Sequence, residues 1–190
     1  MNFIILVSIY NMYNLLHYSI LNNLFLNGSF FIQIKKIKNK KTSMIEEFLN
    51  YINSLETIKK NILIKNFNNI YILVAEKYGS IYDTDKLKWN NLLSIEEYNK
   101  LNNNKYYIIG YILLKRNIID DNIIYIDIIK SRIEKINLNI SIYMIEKLKF
   151  IYKKEILPYE INDNNNKYWK KILSNIIDTI SSWNKYKEYL

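Results

Sequence analysis

IIYIDIIKSRIEKINLNISIYMIEKLKFIYKKEILPYEINDNNNKYWKKIL, residues 123–173, decides the fold, because it reads as strand, charged turn, long helix, short strand and helix. Ile123–Ile129 is dense in β-branched residues and nothing breaks it, as in a strand covered on both faces; Tyr125 and Asp127 are the inserted exceptions and point the same way. Lys130–Lys135 makes the charged turn. Asn139–Lys154 then sets Ile142, Ile145, Leu148 and Tyr152 on one helical stripe. Glu155–Ile161 predicts the next strand, with Pro158 inside it, and a last helix begins near Asn165 behind the capping residues Asn162, Asp163 and Asn164. A strand that runs through a tight turn into a helix N-terminus leaves backbone N–H groups free, which suits phosphate. Arg132 stands in that turn. Among 27 Lys plus Arg, only positions 116 and 132 are arginine, and its planar fork fits a phosphate better than lysine does.

Outward from this stretch, Lys105–Arg116 (KYYIIGYILLKR) is a long strand, and Gly110 inside it marks a bulge or a close backbone approach. Asp120–Asn122 turns that strand back into the next. Asn69–Lys77 is an earlier strand closed by Tyr78 and Gly79, and Ser43 with Glu46 forms a capping box for a helical pattern reaching Asn66, with room for a break. Ser29–Lys38 alternates as a first strand, with Phe30, Ile32 and Ile34 on one side. Residues 80–104 are irregular apart from a short helix capped near Ser94. Trp89 and Tyr82 there either line a pocket or anchor the insertion on the core.

A length of 190 residues suits one domain, and 49% hydrophobic with 24% charged residues is a globular composition. With Cys 0 there is no disulfide, thiolate nucleophile or cysteine zinc site, and the single His17 excludes histidine-rich metal sites, so no metal is expected. Asn, Ile, Lys and Tyr are all enriched, as AT-rich codons dictate, so the net charge of +9 argues only weakly for a nucleic-acid partner. Residues 1–34 carry no Asp, Glu, Lys or Arg, which sets a boundary for an N-terminal extension over residues 1–28. Asn11, Asn14, His17, Asn22, Asn23 and Asn27 interrupt it, so it reads as an extra helix or loose extension, as a membrane anchor or presequence flanked by Lys35–Lys41, or as an over-long reading frame. The expected location is cytoplasmic, with membrane association only through residues 4–34. Asn175–Leu190 reads as a C-terminal helix or tail in which Ile176, Ile177, Ile180 and Trp183 can pack.

The segment after Asp120 resembles the core of GNAT-type N-acetyltransferases, in which a central strand ends in a loop of the form R/Q-x-x-G-x-G/A before a helix. The matching turn is Glu134, Lys135, Ile136, Asn137, Leu138, Asn139, with Asn137 and Asn139 where the family has glycines, and asparagine tolerates the positive φ such a loop needs. NISIYMIEKL, ILPYEI and NNNKYWKKIL follow in the family's order, and the resemblance covers residues 29–174. It implies an α/β fold with a mixed, mostly antiparallel central sheet flanked by helices in the order β-α-α-β-β-β-α-β-α. The family normally adds two closing strands, which Asn175–Leu190 does not provide.

The resemblance further implies transfer of acetyl from acetyl-CoA, as co-substrate, to an amine-bearing acceptor that the sequence does not specify. The N–H groups of Lys135, Ile136, Asn137, Leu138, Asn139 and Ile140 would grip the pyrophosphate, with Arg132 or Lys135 adding charge, and backbone N–H at Ile128 and Ile129 would hold the acetyl carbonyl. Asp127 would be the base, since apolar neighbours would make it stronger than an exposed carboxylate. Tyr168 would protonate the leaving thiolate, or Trp169 would occupy that place if the register slips by one. Two other classes compete: a GNAT-like scaffold without catalysis, and a basic nucleic-acid binder using Lys35–Lys41 and Lys147–Lys154.

Overall fold

The computed structural model describes residues 30–37, 42–79, 89, 91–115, 123–161 and 166–176. The N-terminal extension with His17, Tyr82, the Asp120–Asn122 turn, Asn162–Asn164 and the tail beyond 176 lie outside them. β1 (Phe30–Lys36) leads to α1 (Ser43–Asn53), α2 (Thr57–Lys65) and β2 (Ile70–Lys77); α3 (Ile95–Asn103), β3 (Tyr106–Leu114), β4 (Ile123–Ser131), α4 (Asn137–Tyr152), β5 (Glu155–Pro158) and α5 (Asn166–Ile176) follow. The five strands form one sheet in chain order, β1 to β5. The first three pairings are antiparallel and β4 with β5 is parallel. Parallel neighbours need a long crossover, which α4 supplies.

Successive residues of a strand face opposite ways, so the sheet builds a core on each side. Ile70, Ile72, Val74, Ile108 and Leu113 meet Ile45, Phe48 and Ile52 of α1 and Leu63 of α2. Leu73, Ala75, Ile109, Ile112 and Ile126 meet α4 and α5 on the other face, where Ile142, Ile145 and Leu148 of the expected stripe are buried. Phe30 packs in this second core with Ile32 and Ile34 beside it, as the alternation requires. Trp89 is 1% exposed and edge-on to Phe30 at 6.2 Å between ring centres, so it anchors the segment before α3.

Local signals fixed most ends, with one shift. The α1 cap is Thr42, whose hydroxyl accepts from Ile45 N–H at 3.3 Å, one residue before the expected Ser43. α3 starts where its sequence indicated, with the Ser94 hydroxyl accepting from Glu97 N–H. Gly110 is a close approach: a Cβ there would lie 2.7 Å from the Lys130 carbonyl oxygen, 3.2 Å from Ile140 Cγ2 and 3.3 Å from Met144 Sδ. Removing that one side chain is what lets α4 lie against β3 and β4.

Two irregularities shape β4. Leu113 and Leu114 pair with Ile128 and Ile126, so Asp127 is the extra residue of a bulge. β5 pairs with β4 only from Ile123 to Ile126, ending at Pro158, and Tyr159 N–H still reaches Ile126 O at 2.8 Å. Beyond Ile126 no strand among the described residues lines that side of β4. Arg132 N–H donates to Ile109 O at 2.8 Å, so by alternation Ile128 and Lys130 turn their backbone groups to β3, whereas Ile129 and Ser131 turn theirs to the open side.

Candidate functional site

Where β4 ends, a cleft of about 500 Å³ opens between it, α1 and α3. Its inner wall is built on Arg132, which is 7% exposed. Nη1 donates to Glu47 Oε1 of α1 at 3.1 Å and Nη2 to Glu97 Oε1 of α3 at 3.3 Å, while Nε lies 2.6 Å from Glu97 Oε2. The guanidinium is also sandwiched between aromatic faces, its carbon 4.9 Å from the Tyr51 ring centre and 4.4 Å from that of Tyr107. Tyr107 donates its hydroxyl proton to Glu97 Oε2 at 2.9 Å. One arginine thus fastens three elements at the mouth of the sheet.

The electrostatics follow from this packing. Burial pulls the Arg132 pKa down, but Tyr107, Glu97 and Glu47 outweigh it and raise it above the usual arginine value. Desolvation pushes the Glu97 carboxyl up, and the hydrogen bond and charge of Arg132, with help from Tyr107 and Lys100, more than offset it and hold the group below its ordinary value. Burial pushes the Tyr107 and Tyr51 hydroxyls up. At neutral pH the Arg132 guanidinium and the Glu97 carboxylate are therefore both charged, beside two neutral phenols.

This placement changes several expectations. The Arg132 fork is engaged by two carboxylates, so it does not project toward a phosphate. Lys135 Nζ donates to the Asn91 carbonyl, anchoring the segment before α3. Instead of a loop with positive φ, Glu134–Ile136 forms a 3₁₀ turn and α4 begins at Asn137, with φ −57° and ψ −38°. Among the described non-glycine residues only Lys153, which ends α4, has positive φ. Asn137, Leu138, Asn139 and Ile140 are thus the first turn of a helix. Ile136 N–H already donates to Ile133 O and Asn137 N–H to Glu134 O, and no side chain caps the helix start.

Asp127 lacks the burial that motivated it as a base: it is exposed at the bulge, 3.9 Å from Lys115 Nζ. At about 3.3 Å of rise per residue it stands roughly 13 Å along the strand from Ser131, so it does not share the cleft with Arg132. Of the backbone donors expected at the end of the strand, Ile128 is committed to β3 and Ile129 faces the gap. Tyr168 lies at the seam of α4 and α5, its hydroxyl 2.5 Å from that of the fully buried Ser141. Burial raises its pKa and the Ser141 bond pulls part of that back. Trp169, the neighbour a slipped register would use, is buried in the core.

Glu47, Tyr51, Glu97 and Tyr107 were not singled out by sequence reasoning. The one sequence signal is the rarity of arginine in this lysine-rich chain; that Arg132 is buried, and so requires carboxylates, shows only in the structure. Among the described residues no group of three or more His, Cys, Asp or Glu is placed to hold a metal, and no helix is long and apolar enough to cross a membrane. Lys147 lies over the Tyr143 ring and Lys149 pairs with Glu146 on the surface of α4. No protein-family model matches the sequence, and no curated protein matches it.

Proposed function

We propose that this protein is an acyltransferase of the GNAT type, moving the acetyl group of acetyl-CoA to an amine. The observation that carries the reading is the parting of β4 from β5 after Ile126, which leaves the Ile129 and Ser131 backbone groups facing a gap beside the start of α4. An extended amide-bearing arm such as pantetheine can add to such an edge as another strand would. Ile129 N–H then donates to the thioester carbonyl and stabilises the oxyanion as it forms. The first turn of α4, whose start no side chain caps, presents the positive end of the helix dipole to the phosphates, with Leu138 N–H as donor.

The uncharged amine nitrogen bonds to the acetyl carbon and the carbon–sulfur bond breaks. The thiolate takes the Tyr168 proton, Ser141 donates to the resulting phenolate, the excess proton on nitrogen leaves to solvent through the open cleft, and Tyr168 regains a proton from solvent before the next turnover. Asp127 takes no part in this scheme, because it is too far along β4.

The second reading, a scaffold of the same fold without catalysis, is favoured by one observation: both cations expected to meet phosphate, Arg132 and Lys135, are engaged within the protein. Thermal unfolding of the full chain with and without acetyl-CoA separates the two. At a hundredfold excess over its dissociation constant a ligand adds about 2.7 kcal/mol, a rise in Tm of roughly 5–11 °C for a chain of this size. Ile129→Pro removes an N–H that the β3 ladder does not use, so it should fold and lose the rise, whereas Ile128→Pro should damage the sheet itself. No rise with the unaltered chain at millimolar acetyl-CoA, or a full rise in Ile129→Pro, overturns the proposal.

A further inference from the structure

We infer that the acceptor is a small amino-carboxylate, a molecule carrying a primary amine at one end and a carboxylate at the other, held in the cleft between α1, α3 and the end of β4. This rests on the acyltransferase reading and adds the acceptor's chemistry. Ser131 both lines the cleft and turns its backbone to the gap beside β4, so a molecule in the cleft abuts the place proposed for the acetyl group. The wall is preorganised, because Arg132 is locked between Glu47, Glu97 and two tyrosine rings, and little ordering remains to be done on binding.

The charges choose the ligand. Three carboxylates (Glu47, Glu97, Glu134) and three cations (Lys100, Lys130, Arg132) line the cleft, so neither a polycation nor a polyanion is matched by it. Most of these groups satisfy one another: Arg132 holds Glu47 and Glu97, and Lys100 lies 2.7 Å from Glu96 and 3.3 Å from Glu97. Lys130 and Glu134 remain. Both are exposed, they flank Arg132 on either side in the chain, and among the described residues neither forms an ion pair within 4 Å, although the Lys130 charge acts at longer range on Glu56. A cation and a carboxylate outside any close ion pair, both lining the same cleft, match a zwitterion, with its carboxylate on Lys130 and its ammonium on Glu134 until it loses a proton and reacts.

The test compares probes of equal chain length that differ in one end group: 4-aminobutyrate against 1,4-diaminobutane, and 6-aminohexanoate against 1,6-diaminohexane. Acetylation by the full chain is followed as release of free thiol from acetyl-CoA. The unaltered protein should favour the amino-carboxylate of each pair at least tenfold in kcat/KM, mainly through KM. Lys130→Glu should reverse the preference toward the diamine while leaving the thermal shift with acetyl-CoA unchanged. Preference for the diamines, indifference between the members of a pair, or acetylation of neither with the acetyl-CoA shift intact would each overturn the inference. Absence of the acetyl-CoA shift would instead remove the acyltransferase reading on which it rests.

Discussion

Replacing Arg132 by alanine tests whether the wall of the cleft is as tightly built as its geometry implies. The side chain is 7% exposed and bonds Glu47 and Glu97, which are 14% and 28% exposed. Removing one partner of a buried ion pair costs about 3–5 kcal/mol, because the charges left behind stay desolvated and unpaired. Losing the contact with two tyrosine faces adds about 0.5–2 kcal/mol, while the partial exposure of Glu97 and its neighbour Lys100 reduces the total. The expected net loss is about 3–4 kcal/mol, or a fall in Tm of roughly 6–16 °C.

Urea unfolding followed by tryptophan fluorescence measures this, with Trp89 and Trp169 both buried as reporters. The pH dependence supplies a second check. The Glu97 carboxyl is held below its ordinary value in the folded state, so its pairing stabilises at neutral pH and fades as pH falls through that lowered value. The gap between Arg132→Ala and the unaltered chain should therefore narrow as pH falls below the ordinary carboxylate range. Arg132→Met combined with Glu47→Leu and Glu97→Leu should recover most of the loss, since nothing charged is then left buried. A loss under about 1 kcal/mol for Arg132→Ala, with no narrowing in acid, would refute the reasoning and put the cluster with solvent-screened surface pairs.

Further outcomes follow from other contacts. Gly110→Ala should cost about 1–3 kcal/mol in denaturant unfolding, because its Cβ would meet a backbone carbonyl at 2.7 Å that cannot swing away. Thr42→Ala should cost about 1 kcal/mol through loss of the α1 cap, while Ser43→Ala should be near neutral, and the same titration distinguishes them. Ser141→Ala should cost about 1–3 kcal/mol by leaving a half-buried phenol without its partner, and Tyr168→Phe paired with Ser141→Ala should be less than additive in a double-mutant cycle.

Much of the framework could be read from the sequence because it is written in local periodicity. The alternation of Phe30, Ile32 and Ile34, the stripe of Ile142, Ile145 and Leu148, the cap at Ser94 and the glycine in β3 each depend on neighbours a few residues away. The site was less readable for the opposite reason. Arg132 meets Glu47, 85 residues earlier, and Glu97, 35 residues earlier, and nothing in the turn around it says that its fork points back into the protein. The bulge at Asp127 belongs to the pairing of β3 with β4, so a run of β-branched residues concealed it and suggested burial for an exposed carboxylate. Thr42 and Ser43 offer the same hydroxyl at adjacent positions, and only the chain's entry angle decides which of them caps the helix. The asparagines at 137 and 139 tolerate positive φ without requiring it, and a 3₁₀ turn leading directly into α4 was open to them.

Each strand lies beside its successor in the chain, but only β3 and β4 are joined by a short connection; β1 reaches β2 past α1 and α2, β2 reaches β3 past α3, and β4 reaches β5 past α4, so those three pairings each close a longer loop. The seam between β4 and β5 holds only four residue pairs, against seven between β1 and β2. The weakest seam thus borders the gap beside β4, and opening there leaves the three antiparallel pairings intact. Amide hydrogen exchange at Ile156 and Leu157 should outpace that at Ile72 and Leu73, so the chain would breathe along β5 without unfolding elsewhere.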